Sequence, residues 1–192
     1  MTETPAHPRR PRADAARNRA AILDAARDAL TSSGEDPALE AIARAAGVGI
    51  GTLYRNFPTR EELVAAVYAS ELDAVLGTVG PLLETMPADA ALREFMRRYA
   101  GFIATKRGMA ESVRAGALRS AAASADTRRR VNEAIGLFLA EGAQQGVLRS
   151  DAVADDVTAA MIGVFLSTAQ SSDPGQVDRL LDLVVRGLRV DG

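Results

Sequence analysis

Residues 38–57 read ALEAIARAAGVGIGTLYRNF, and the fold follows from how this stretch is divided. Two helix-forming runs, about Ala38 to Ala46 and Ile50 to Phe57, flank Gly47-Val48-Gly49. Each run is too short to persist as an isolated helix, so packing against a third element has to support both. In the first run Leu39, Ile42, Ala43 and Ala46 recur at helical spacing and define one buried face. Gly47 suits the left-handed residue that commonly follows a helix, Val48 plugs the angle between the helices, and Gly49 opens the second. Asp36 is placed to cap the first short helix, with Pro37 in its first turn. By spacing this is a helix-turn-helix.

The second run carries the chemistry. Leu53 and Phe57 lie four apart and face inward, which leaves Ile50, Gly51, Thr52, Tyr54, Arg55 and Asn56 largely outward. A face this small and polar suits a nucleic-acid groove. Gly51 lets a backbone approach closely, Thr52 and Tyr54 offer hydroxyls to phosphates, and Arg55 and Asn56 hold the forked donors and acceptors that read base edges. Arg60, just beyond, is positioned to meet a phosphate. Against these readings stands pairing of Arg55 with Glu61 or Glu62 on a solvated face.

Upstream, a helix from about Asp14 to Thr31 has Ala21, Ile22, Ala25, Ala26, Ala29 and Leu30 on one face and Arg17, Arg19 and Arg27 on the other. Downstream, a helix after Pro58 contains Leu63, Val64, Val67, Leu72 and Val75. Bundle-length segments follow at 89–106, 109–120, 125–145, 151–170 and 174–189. Aromatics make up only 4% of the 192 residues, against abundant Ala, Leu and Arg, so the chain is expected to be all-α with about nine helices and no sheet.

Composition narrows the function. There is no cysteine, and the one histidine, His7, sits in a Pro/Arg-rich start expected to be disordered over residues 1–12. Thiolate metal sites, cysteine nucleophiles and histidine acid–base chemistry are thereby removed, and no spaced acid–base–nucleophile set appears, so no enzyme and no cofactor are expected. No apolar run is expected to approach the ~18 to 20 residues needed to span a bilayer, and no signal peptide is expected at the start, so a cytoplasmic location is expected. The formal charge of -2 is unevenly divided. Residues 1–60 hold nine arginines against seven acids, whereas the remainder holds fourteen basic against eighteen acidic side chains. That division points to a small basic reading unit and an acidic body. Arg128-Arg129-Arg130 falls in the acidic part and reads as a solvated face or a rim. Pro8-Arg9-Arg10-Pro11-Arg12 reads as an unstructured tail, or as an arm following the DNA backbone or an adjacent minor groove.

From near Arg17 to about Tyr68 the sequence resembles the TetR-type transcriptional repressors. The likeness is carried by Ile42-Ala43, Ala46-Gly47-Val48 and Gly51-Thr52-Leu53-Tyr54-Arg55-Asn56-Phe57-Pro58-Thr59-Arg60-Glu61-Glu62-Leu63. The resemblance implies an N-terminal three-helix DNA-binding domain over 13–60, a linking helix from about residue 60, and a C-terminal helical domain over 61–192 that binds an effector and dimerises. It implies a homodimer on a palindromic operator in double-stranded DNA, released by a small molecule. On the matching positions, Thr52, Tyr54 and Arg60 fall where phosphates are contacted, and Ile50, Gly51, Arg55 and Asn56 where base edges are faced. Arg17 joins them at the start of the match. Two departures stand out: Pro37-Ala38-Leu39 replaces the usual Thr or Ser opening the first short helix, and Asn56 stands where His is frequent.

The last two helices would form the dimer interface, through Val157, Met161 and Val164 in one and Leu180, Leu181, Val184 and Leu188 in the other. The apolar residues of the last helix cover more than one face, as a second subunit would require. Phenylalanines and methionines of this domain read mainly as core. Phe95, Phe102, Met109, Phe138 and Met161 are the candidates for lining an effector cavity, whose walls would be mainly apolar with a few Arg, Thr, Ser or Gln groups, which points to an apolar or anionic ligand. The competing reading is a helical ligand-binding or adaptor protein without operator binding.

Overall fold

Apolar spacing in the first 68 residues resolves into one small core. In the computed structural model, which describes residues 11–32, 37–108 and 121–190, Ile22, Ala26 and Leu30 line one stripe of α1 (Pro11–Ser32) and are buried. They pack with Ile42 and Ala43 of α2 (Leu39–Ala45), with Leu53 of α3 (Ile50–Asn56), and with Phe57. Leu63, Val64 and Val67 from α4 (Arg60–Leu76) complete this cluster. A seven-residue helix has too few internal hydrogen bonds to persist alone, so α2 and α3 exist because these anchors hold them.

The turn between them is a Schellman motif. Gly47 has φ +66°, its amide donates to the Arg44 carbonyl at 3.1 Å, and the Val48 amide donates to Ala43 at 3.0 Å. Both bonds occupy carbonyls that the end of α2 would otherwise leave open. Gly49 is the N-cap of α3, and Val48 is packed against the core, as expected. The start of α2 differs from expectation. Its N-cap is Ala38, in extended conformation and with no side-chain cap, so Pro37 precedes the helix; Asp36 lies outside the described residues. At α4 the Thr59 hydroxyl accepts the Glu62 amide at 3.2 Å, and Glu61 and Glu62 place negative charge in the first turn, where the helix dipole favours it.

The described residues fall into two compact units, one reaching Tyr68 and the other starting at Ala69, so the division lies within α4. The second unit contains the end of α4, α5 (Val79–Thr85), α6 (Ala88–Gly108), α7 (Ala121–Gln144), α8 (Ala154–Ser167) and α9 (Gln176–Arg186). Nine helices and no strand therefore run through the described residues; an isolated bridge joins Leu148 and Arg189. The segment expected at 109–120 lies outside them. The core of this unit is aromatic: Phe95 sits 5.3 Å from Phe138, and Tyr99 sits 5.3 Å from Phe102 and 6.0 Å from Phe165. Gly146, with φ +70°, repeats the Schellman geometry at the end of α7, where Val147 donates to Gly142. Arg93 on α6 ties α9 by donating to both Asp178 and Asp182.

Arg60–Thr85 is, by length and composition, apolar enough to cross a membrane, which corrects the expectation that no run approaches that length. The run is broken between α4 and α5 at Gly77 and Thr78. It carries Glu71 and Asp73, and its apolar residues Leu63, Val64, Val67, Leu72, Val79 and Leu82 are buried within the protein.

Candidate nucleic-acid interface

Leu53 is fully buried and Phe57 nearly so, and these two fix the rotation of α3 about its axis. The opposite side then has to face out. Ile50 is 38% and Tyr54 45% exposed, while Gly51 and Arg55 are exposed and Thr52 is half-buried. A Cβ built on Gly51 would meet nothing within 4 Å, so no protein group crowds the backbone there. Ile50, Gly51, Thr52, Tyr54 and Arg55 thus share one accessible surface.

The polar side chains of that surface are organised by their own helix. Arg55 Nε donates to the Gly51 carbonyl at 3.1 Å and Nη2 to the Thr52 hydroxyl at 3.0 Å, so the guanidinium lies back along α3 and is not paired with Glu61 or Glu62 in these bonds. Asn56 is half-buried, and its Nδ2 donates to the Thr52 carbonyl at 2.8 Å. Arg60 is also half-buried, with Nη1 donating to the Pro37 carbonyl at 2.7 Å, which joins the first turn of α4 to the residue before the N-cap of α2. Arg17 is exposed on α1 and forms a salt bridge with Asp14. Sequence reading placed Arg19 on the outer face of α1 without a role. In the structure its guanidinium lies 4.4 Å from the centre of the Phe57 ring and donates to the Asn56 carbonyl at 3.4 Å.

In the second unit Arg128 pairs with Asp155, Arg129 with Asp126 and Glu133, and Arg130 with Asp73, so the Arg128-Arg129-Arg130 run is charge-compensated. Hydrogen bonds from Arg128 and Asn132 hold the Asp155 carboxyl down at about 2. Among the described residues no group of His, Asp or Glu could hold a metal ion.

Comparison with known proteins agrees with this geometry. The family model of bacterial regulatory proteins of the tetR family matches residues 22–67, and the model of the SbtR-like transcriptional regulator C-terminal domain matches residues 87–190. The chain belongs to the TetR family. A TetR transcriptional regulator from Streptomyces coelicolor is 40% identical, with a TM-score of 0.79 over 91% of this chain and 99% of that one. A TetR regulatory protein from Mycobacterium vanbaalenii is 30% identical, with a TM-score of 0.75 over 93% and 99%. SmeT, the repressor of a Stenotrophomonas maltophilia multidrug efflux pump, shares the fold at 20% identity and a TM-score of 0.63, over 91% of each chain. No curated protein sequence matches. Members of this family are DNA-binding transcription factors and not enzymes, and this TetR-family regulator carries their helix-turn-helix on α2 and α3.

The remaining site expectations concern the second unit of the regulator. Phe95, Phe102, Phe138 and Met161 are all buried there, and Met109 lies outside the described residues. On the last two helices Val157, Met161, Val164 and Leu181 are buried within the chain itself and Leu180 and Val184 are half-buried, while Leu188, expected on the last helix, lies just beyond its end and is half-buried. The apolar side chains most open to solvent on those helices are Leu166, 71% exposed, and Leu183, 62% exposed.

Proposed function

We propose that this regulator is a homodimeric repressor that lays α3 in the major groove of a palindromic operator and leaves it when a small molecule binds the second unit. The observation that carries the DNA-reading role is the accessible face of α3, held outward by Leu53 and Phe57. On it Thr52 and Tyr54 serve as phosphate contacts, with Ile50, Gly51 and Arg55 toward base edges. Arg55 exchanges its bonds to Gly51 and Thr52 for bonds to a base; both are exposed, so each costs only about 1 kcal/mol to give up. Asn56 and Arg60, engaged by the Thr52 and Pro37 carbonyls, contribute mainly by bracing the motif, and Arg17 lies at its edge.

Dimerisation is assigned to α8 and α9. Leu166 and Leu183 are exposed there, and Leu183 also lines a groove with Val153, Ala160 and Val184. Half-buried Leu180, Val184 and Leu188 flank this surface, whereas Val157, Met161, Val164 and Leu181 support it from the core. The effector is assigned to the aromatic interior around Phe95, Phe102, Phe138 and Met161, which favours an apolar molecule. Such a protein acts in the cytoplasm, where its DNA is.

Selection of duplexes from a random pool, followed by gel-shift titration, tests this reading. The expected result is a palindromic consensus bound with Kd in the ~10⁻⁸ to 10⁻¹¹ M range at physiological salt. Recovery of no duplex bound more tightly than the ~10⁻⁶ M edge of non-specific binding refutes it. Tyr54→Phe is expected to weaken all duplexes alike, whereas Arg55→Ala relaxes base preference at particular positions.

A further inference from the structure

The last carbonyls of a helix need partners that the helix itself cannot supply. In α3 the Phe57 amide takes the Leu53 carbonyl at 2.8 Å. The basic residue of the last turn, Arg55, bends back toward Gly51 and Thr52 instead of capping the end. The cap comes from α1. Arg19 Nη1 donates to the Asn56 carbonyl at 3.4 Å, and the same guanidinium lies 4.4 Å above the Phe57 ring.

A cation at a helix C-terminus complements the helix dipole, and a guanidinium over an aromatic face adds a cation–π attraction. Phe57 is only 2% exposed and belongs to the same core as Ile22, three residues along α1 from Arg19, so the ring is a fixed seat. We propose that Arg19 is a positioning residue for the reading helix. It fixes the C-terminal end of α3 against α1, so that Tyr54 and Arg55 meet DNA in one orientation. It does this as an internal brace and not as a phosphate contact.

The consequence for DNA rests on the proposed reading role of α3; the brace itself does not, and the two are separated by experiment. In the free full-length protein, Arg19→Ala is expected to speed hydrogen exchange of the amides of Tyr54 to Phe57 several-fold, with the amides of α6 unchanged. Unchanged exchange at α3 overturns the proposal. Binding is then measured across a salt series on a duplex selected by the wild-type protein and on a scrambled duplex of equal length. The expected outcome is about tenfold weaker binding to the selected duplex, unchanged binding to the scrambled one, and an unchanged slope of log K against log salt. Equal losses on both duplexes, with the slope smaller by about one, identify a lost phosphate contact and also overturn the proposal. If the wild-type protein selects no duplex, the proposed function fails, and the exchange measurement alone decides the role of Arg19.

Discussion

Replacing Gly51 with alanine separates reading from folding. In the free protein the added methyl meets nothing within 4 Å, and Gly51 is not one of the positive-φ glycines, which among the described residues are Gly47 and Gly146. Neither clash nor backbone strain opposes the change. Alanine is favoured over glycine inside a helix by ~0.5 to 1 kcal/mol, and the second position of α3 is expected to realise the lower part of that range. Against DNA the same methyl projects ~1.5 Å from the backbone, the length of one carbon–carbon bond. Hydrogen bonds are strongest at donor–acceptor separations of ~2.7 to 3.2 Å and weaken steeply beyond, so a helix pushed out by ~1.5 Å loses direct contacts from Tyr54 or Arg55. One hydrogen bond to a charged group contributes ~1.5 to 3 kcal/mol, which corresponds to at least about tenfold in affinity. Urea denaturation is expected to show a raised midpoint with an unchanged slope, and gel-shift titration on the selected duplex a Kd at least about tenfold weaker. Wild-type affinity in the Gly51→Ala variant refutes the close approach of this backbone to DNA.

The other predictions concern how the motif and its neighbour are held. Gly47→Ala forces a side chain into φ +66° with no steric clash to obscure the effect, so thermal unfolding should show a loss of ~1 to 2 kcal/mol, partly recovered by Gly47→Asn. Ala38→Ser supplies the side-chain cap that α2 lacks, at a backbone already in N-cap conformation, and should raise stability by ~1 kcal/mol in the same assay. Hydrogen bonds from Arg97 and Arg98 lower the Glu94 carboxyl from 4.5 to about 2, so its contribution to stability is present above about 4.5 and is lost as pH falls toward 2. Urea midpoints of wild type and Glu94→Gln should therefore differ most near neutrality and converge on acidification; a difference constant with pH contradicts that coupling.

The helices of the first unit were legible because their signals are local. The i, i+4, i+8 stripe of Ile22, Ala26 and Leu30, the glycine turn at 47 and the Leu53–Phe57 pair each depend on neighbours within a few turns. The break between α4 and α5 was not legible. Val75, Leu76, Val79 and Leu82 continue the apolar pattern across it, and the interruption is a hydrogen-bond event in which the Thr78 amide and hydroxyl both turn to the Val75 carbonyl. The last helices show a further limit of periodicity. α9 is apolar on more than one side, and spacing alone does not say which side its own chain uses; Leu181 and Val185 point inward and Leu183 outward.

At the candidate interface, sequence identified the residue types but not the partners that set their roles. Arg60 follows a turn and carries charge, which reads as a phosphate ligand; the sequence does not show that the fold also brings the Pro37 carbonyl to within 2.7 Å of its Nη1. Arg19 lies far from α3 in sequence, and only the packing of α1 against α3 seats it on Phe57. On the proposed reading the motif combines two groups with different physical tasks. Thr52, Tyr54 and Arg55 are exposed or half-buried, with Arg55 bonded to Gly51 and Thr52 of its own helix, whereas Arg19, Asn56 and Arg60 donate to the backbone carbonyls of Asn56, Thr52 and Pro37. A helix of seven residues has little rigidity of its own. On the proposed reading role its discrimination of base pairs would draw on the bracing residues as well as on the side chains that touch the groove, and the two groups should separate experimentally, the first changing salt dependence or base preference and the second changing the exchange rates of α3.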